Sequence, residues 1–288
     1  MGVSVSAHAI RGIDHLIVAA RELDRSAKIW EGLGFSITPR GFHQTGGTAN
    51  HLLLFDETYI ELLGVVDPTQ PSPFARYLDL APGLAGMAFR ASADEAFTFW
   101  QAQGLLAVPP ASLARDVEVR GRTEIARFRL TLLEDAPELP LLLFCCEQLT
   151  RELVWQEGKR AHPNGAKSLK ELVFVVDELQ AQARFERITG RPSTDRAGSS
   201  ELALGEVRVS FLSKESLRAR FGEGADFRNS APPRLAGFAL ETADLERARG
   251  LAVESGFGVR DSEHGGFVTH VPDEGVFIEW MPASSNYR

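Results

Sequence analysis

Cysteine is nearly absent from this chain of 288 residues: it occurs twice, at Cys145 and Cys146, side by side. Neighbouring residues on a strand point to opposite faces, which argues against an ordinary structural disulfide between them. The two thiols read as small buried hydrophobes in a reducing compartment, so a cytoplasmic location is expected. Long apolar runs are also missing. The most apolar segment, residues 139–146, is strand-sized and contains Pro140, whereas a bilayer-spanning helix needs roughly 20 apolar residues. The first ten residues have neither the basic region nor the apolar stretch of a secretory signal. A net charge of −8 leaves no basic excess for a nucleic-acid backbone. The basic stretch 115–129 alternates with apolar residues, the pattern of a solvated strand face. No phosphate-binding loop, nucleophile elbow or Cys-x-x-Cys pair occurs.

What the chain does contain is a repeat. Its hydrophobic fraction of 44% and charged fraction of 24% are those of a globular protein, and its length suffices for two domains. Residues 13–20 (IDHLIVAA) form a strand-length run rich in β-branched side chains. Residues 21–33 follow with Leu23, Ala27, Trp30 and Leu33 at helical spacing, stopped by Gly34. Short strands are expected at 35–38, 50–55 and 58–65, giving the order β-α-β-β-β. That order returns with openings LAGMAFRA, LKELVFVV and LAGFALET, and with helices ended by Gly104, Gly190 and Gly256. The first copy ends GGTANHLLLFDETYIELLG and the last GGFVTHVPDEGVFIEWMP, which matches His51 with His270 and Glu61 with Glu279. Residues 158–166 read as a linker, and residues 213–233 as a loop between the third and fourth copies.

A βαβββ module is a curved sheet with an open edge and an apolar face. Two modules can cover each other and enclose a ligand cavity. Paired modules of this kind resemble the vicinal-oxygen-chelate superfamily, which includes glyoxalase I, extradiol dioxygenases and fosfomycin-resistance proteins. The first half resembles the glyoxalase-like family at Gly12-Ile13-Asp14-His15-Leu16-Ile17-Val18, at Gly47-Thr48 with Asn50, and at Tyr59-Ile60-Glu61-Leu62. Leu149-Thr150-Arg151-Glu152-Leu153-Val154-Trp155 and His162-Pro163-Asn164-Gly165-Ala166 add to the likeness.

The resemblance implies an α+β protein of four βαβββ modules paired into two curved mixed-sheet domains, residues 1–157 and 158–288. Modules one and two, then three and four, are the default partners; pairing of the first with the fourth is the alternative. It also implies metal ligands on the first and last strands of a module, here His15 and Glu61. Imidazole and carboxylate suit Zn²⁺, Ni²⁺, Mn²⁺ or Fe²⁺. The places equivalent to His15 hold Gly86, Glu171 and Gly237, and Gln148 stands where relatives often carry histidine, so no domain shows a full ligand set. Glu61 and Glu147 are the candidate proton carriers. His51, Gln148 and Glu279 are candidate binding residues, although the recurrence of His51 at His270 also fits a structural hydrogen bond made in each repeat.

The implied function is that of a glyoxalase-like protein acting on a small molecule, as a metal-dependent lyase or isomerase. A non-catalytic protein sequestering a small molecule among its 18 phenylalanines and 4 tryptophans is the alternative, and a ring-cleaving dioxygenase a further one. The expected partner is a small-molecule ligand, with neither nucleic acid nor membrane; a homodimer is left open.

Overall fold

The computed structural model describes residues 9–72, 74–78, 83–134, 139–156, 158–177, 180–196, 198–222 and 234–283. The first module comprises β1 (Gly12–Ala19), α1 (Leu23–Gly32), β2 (Gly41–Phe42), β3 (Thr48–Leu54) and β4 (Tyr59–Val65). A single turn, α2 (Ala75–Leu78), leads to the second: β5 (Gly83–Arg90), α3 (Ala93–Ala102), β6 (Ala111–Val119), β7 (Arg122–Leu132) and β8 (Leu142–Gln148). After α4 (Arg151–Val154) the third module has β9 (Ala166–Val175), α5 (Gln180–Thr189), β10 (Thr194–Arg196), β11 (Ser199–Leu204) and β12 (Val207–Leu212). Then come α6 (Lys214–Phe221) and the fourth module: β13 (Arg234–Thr242), α7 (Leu245–Glu254), β14 (Val259–Asp261), β15 (Phe267–Val271) and β16 (Val276–Pro282). No helix among the described residues is long and apolar enough to cross a membrane.

Modules one and two share one eight-stranded mixed sheet, ordered β2-β3-β4-β1-β5-β8-β7-β6. Modules three and four repeat that order in a second sheet. In each, the first strands of the two modules pair antiparallel at the centre, and each is flanked by the last strand of its own module running parallel. A bridge between His43 and Arg115 brings the outermost strands of the first sheet towards each other, so that sheet is nearly a closed barrel. The sheets change over between Gln148 and Ala166; residue 157, where the sequence suggests the division, lies outside the described residues.

Each sheet is covered on its outer face by its own helices, and these helices meet those of the other domain. Trp30 of α1 stacks on Phe238 of β13, Phe89 of β5 packs on Phe185 of α5, and the Trp100 indole donates to the Ile188 carbonyl at 2.9 Å. One apolar cluster therefore runs through both halves. A second fills the inner face of the first sheet, and a smaller third one the inner face of the second.

Two local expectations are corrected. Residues 35–38 form no strand; the chain there is anchored by the buried Phe35, and the short β2 comes later. Residues 214–221, read as loop, are helical because the Ser213 hydroxyl accepts the Ser216 N–H at 3.1 Å and caps the first turn.

The glycines at the His15-equivalent places have a steric cause. A Cβ on Gly86 would lie 2.1 Å from the Leu142 carbonyl oxygen, and one on Gly237 2.3 Å from that of Phe277. The neighbouring parallel strand thus passes too close for any side chain. Gly86→Ala is expected to destabilise the protein by at least about 2 kcal/mol in urea unfolding. Gly250→Ala, on α7 with open space around it, should instead stabilise it by up to about 1 kcal/mol.

Candidate active site in the first domain

The site begins with the parallel register of β1 and β4. His15 lies beside Tyr59 and Ile17 beside Glu61, so with a period of two all four side chains reach the inner face. There they line a cavity together with His43, Asn50, Arg115 and Cys146 and a wall of leucine and phenylalanine. The free space is about 30 Å³, room for about two water molecules.

A bulge prepares the histidine. The β1–β5 register skips Asp14, between Ile13 opposite Phe89 and His15 opposite Ala88. Asp14 is thereby freed from the ladder, and its carboxylate Oδ1 sits 2.6 Å from His15 Nδ1. The Gln148 amide donates to the same oxygen at 2.9 Å. Tyr59 stacks on the imidazole with ring centroids 4.4 Å apart, and Phe144 meets it edge-on. The ring is fixed on every side, and its other nitrogen, Nε2, faces Glu61 Oε2 at 3.5 Å. The second Glu61 oxygen accepts the Asn50 amide at 2.6 Å. His43 approaches that same oxygen with Nε2 at 4.0 Å, while its Nδ1 contacts the Thr48 hydroxyl at 2.8 Å.

Burial sets the protonation of the surrounding groups. It lowers the pKa of His43, against the pull of Glu61, and Arg115 and His15 lower it further, so this imidazole is neutral at pH 7. Burial, followed by the charges of Asp14 and others, pushes the Tyr59 phenol and the Cys146 thiol well above their ordinary ranges. With no ion beside it, Cys146 is therefore held as a thiol and not as a nucleophilic thiolate.

Among the described residues, Asp14, His15 and Cys146 bring three possible donor atoms within 4.8 Å of one another. In that group Nδ1 of His15 is already engaged by Asp14. The pair formed by His15 Nε2 and Glu61 Oε2 fits a divalent ion better. Two ligands on a tetrahedral ion with bonds near 2.1 Å stand about 3.4 Å apart, against the 3.5 Å here, and a hydrogen-bonded carboxylate behind the imidazole is the usual support for a ligating histidine.

The other sequence candidates lie elsewhere. His51 points away from the cavity on the face opposite Asn50, and its Nδ1 meets the Thr38 carbonyl at 2.8 Å. Glu147 accepts the Ala93 N–H at 3.0 Å, capping α3 on the far side of β8. Gln148 stands behind the site, on Asp14. Glu279 belongs to the second domain. His43 and Arg115 were not singled out by the sequence. Arg115, expected on a solvated face, is only 6% exposed.

The second domain uses the equivalent place differently. Glu171 stands at the position of His15, Ser210 at that of Glu61, and Glu279, on β16, at that of Phe144; both glutamates are buried. Arg220 of α6 inserts between them, donating to both Glu171 oxygens at 2.8 and 2.7 Å and through Nε to Glu279 at 2.9 Å. Burial alone would raise Glu171, but hydrogen bonds and charge from Arg220, with Arg208 and Ser210, hold it at about 2. A guanidinium thus fills the space between the two carboxylates.

Two paired βαβββ modules that enclose a cavity are the architecture of the vicinal-oxygen-chelate proteins. Within that superfamily the chain belongs to the family of the glyoxalase-like domain, whose model matches residues 13–189. No curated protein matches it in sequence. Solved structures share the architecture. A hypothetical protein from Staphylococcus aureus superimposes with a TM-score of 0.64 at 13% identity, over 94% of this chain and 98% of that one. A mutant 4-hydroxymandelate synthase from Streptomyces coelicolor gives 0.61 at 12%, over 96% and 93%. Homoprotocatechuate 2,3-dioxygenase from Arthrobacter globiformis gives 0.57 at 14%, over 97% and 82%. At these identities the likeness is one of fold.

Removing Arg220 leaves two buried carboxylates facing each other. Arg220→Ala is expected to cost about 3–5 kcal/mol in chemical unfolding at pH 7. The pH dependence has a definite sign. The folded pKa of Glu171 lies below its unfolded value of 4.5, so its stabilisation is complete above pH 4.5 and is lost as the pH falls towards 2. Glu171→Gln should accordingly flatten the acid limb of the stability–pH curve measured by urea unfolding.

Proposed function

We propose that the first-domain cavity is a metal-assisted active site acting on a small molecule, of the lyase or isomerase type. The observation that carries this reading is the convergence of His15 Nε2 and Glu61 Oε2 at 3.5 Å beside a cavity. A divalent ion held there would supply Lewis-acid stabilisation of an oxyanion on the ligand. The remaining work falls to the chain itself. With His15 Nδ1 donating to Asp14, the Nε2 lone pair is presented to the cavity. Asn50 anchors one Glu61 oxygen and leaves the other free. His43, neutral by burial, accepts a proton from a bound ligand at Nε2, and the Thr48 hydroxyl supports it from Nδ1. The apolar wall leaves room for few water molecules at the reacting centre.

One observation favours a second reading, ring-cleaving oxygenase chemistry: His43 brings a second imidazole to Glu61, and two histidines with one carboxylate suit Fe²⁺ with open positions. The identity of the ion distinguishes the two.

Elemental analysis of protein purified without chelator, followed by titration with Zn²⁺, Ni²⁺, Mn²⁺ and Fe²⁺, tests the proposal. One ion per chain is expected. His15→Ala and Glu61→Gln should abolish its uptake, and Asp14→Asn should weaken it by about 10- to 100-fold. A wild-type protein that takes up none of the four ions overturns the metal-assisted reading.

A further inference from the structure

The first-domain cavity contains a charge without a partner. Arg115, on β6, is 6% exposed and lines the cavity. Among the described residues its guanidinium makes no hydrogen bond and no ion pair. Glu61 lies beyond ion-pair range and acts on it only through space. Other buried charges are matched: Glu171 and Glu279 share Arg220, Asp14 meets His15 and Gln148, and Glu274 accepts the Ser26 hydroxyl. An arginine cannot shed its proton, and an uncompensated buried charge is strongly destabilising. The local backbone nonetheless makes room for it. A Cβ on Gly41 would come within 2.7 Å of Arg115 Nη1, so the glycine in β2 leaves the space this guanidinium occupies. The Phe128 ring lies on one side of it, 6.0 Å from the guanidinium carbon.

We infer that Arg115 is the recognition group of this cavity, and that the ligand is a small carboxylate with an apolar remainder. The planar guanidinium fork matches a carboxylate with two parallel hydrogen bonds. Leu63, Phe74, Leu113, Leu130 and Phe144 in the wall suit the apolar remainder. The inference rests on reading the cavity as a ligand site. A metal ion is not required, but one would strengthen it: neutralising Glu61 removes the carboxylate charge that acts on Arg115 and leaves it to the ligand alone.

The experiment compares acetate, small enough for this cavity, with its neutral isostere acetamide by calorimetry on the full chain, without added metal and again with Zn²⁺. Acetate should bind more tightly by about 10- to 100-fold, the range of a charge-assisted hydrogen bond to a buried partner. Arg115→Gln should remove that preference, and Arg115→Lys should restore only part of it, because the charge returns without the fork. A second readout needs no ligand. Arg115→Met should raise the melting temperature of the free protein by about 2–4 °C, since it removes an unpaired buried charge, and acetate should stabilise wild type but not this variant. A structural arginine would give the opposite sign. Equal binding of the two probes, binding of neither, or a lower melting temperature in Arg115→Met overturns the inference. Carboxylate selectivity in a protein that takes up no metal would leave it standing while the metal-assisted reading falls. Metal uptake without carboxylate selectivity would do the reverse.

Discussion

A β-sheet that is apolar on both faces must be covered twice, and the architecture follows from that constraint. On β1, Ile13, Leu16 and Val18 join the cluster beneath the helices, whereas Ile17 and Ala19 join the inner face. Ile13 and Leu16 differ in parity and can share a face only because the bulge at Asp14 shifts the strand by one residue. The helices cover the outer face, and the other domain's helices cover them in turn. The inner face is closed by the curvature of the sheet and by the approach of its two outer strands. A space remains where two modules meet, and the same bulge that satisfies the packing turns an aspartate onto a histidine beside it.

The two domains resolve the same place in opposite ways. Both bury a carboxylate on the last strand of a module and another side chain on the first, next to the sheet centre. A buried carboxylate is costly unless it is paired. In the second domain the pairing is internal: Arg220 reaches in from α6 and, with Arg208, Ser210, Ser262 and His264, satisfies Glu171 and Glu279. In the first domain Glu61 has an amide and two imidazoles near it, and the nearby guanidinium stays beyond its reach. One domain has its charges closed among themselves; the other leaves donors, an acceptor and a cation facing a cavity. That difference leaves the open donor and acceptor groups in the first domain, against which the second packs as a support.

The support is physical. Trp30, Phe35, Phe89 and Trp100 of the first domain pack on Phe238, Trp280, Phe185 and the Ile188 carbonyl of the second. The helices of the first sheet are therefore clamped between two sheets. β1, which carries His15, is held on its outer face by this layer and on both edges by β4 and β5. A site on a central, doubly flanked strand is held more tightly than one on a loop.

The sequence by itself determined the fourfold βαβββ order, because each module carries its own strand alternation, helical spacing and stop glycine. It also pointed to His15 and Glu61, which lie on the first and last strands of a recognisable module. Periodicity says that neighbours alternate but not which face becomes the cavity. His51 and Glu147 were therefore plausible in the sequence, and only the tertiary structure turned them outward, towards a backbone carbonyl and a helix N-terminus. His43 and Arg115 lie 72 residues apart in sequence (115 − 43) and become neighbours only because β2 and β6, the two ends of one sheet, curl together. Arg220 sits in a segment whose polar composition reads as loop, and its role depends on a cap that folds it into a helix over the second domain. Local pattern fixed the elements; long-range strand pairing and closure decided which side chains share a dry interior, and with it the chemistry.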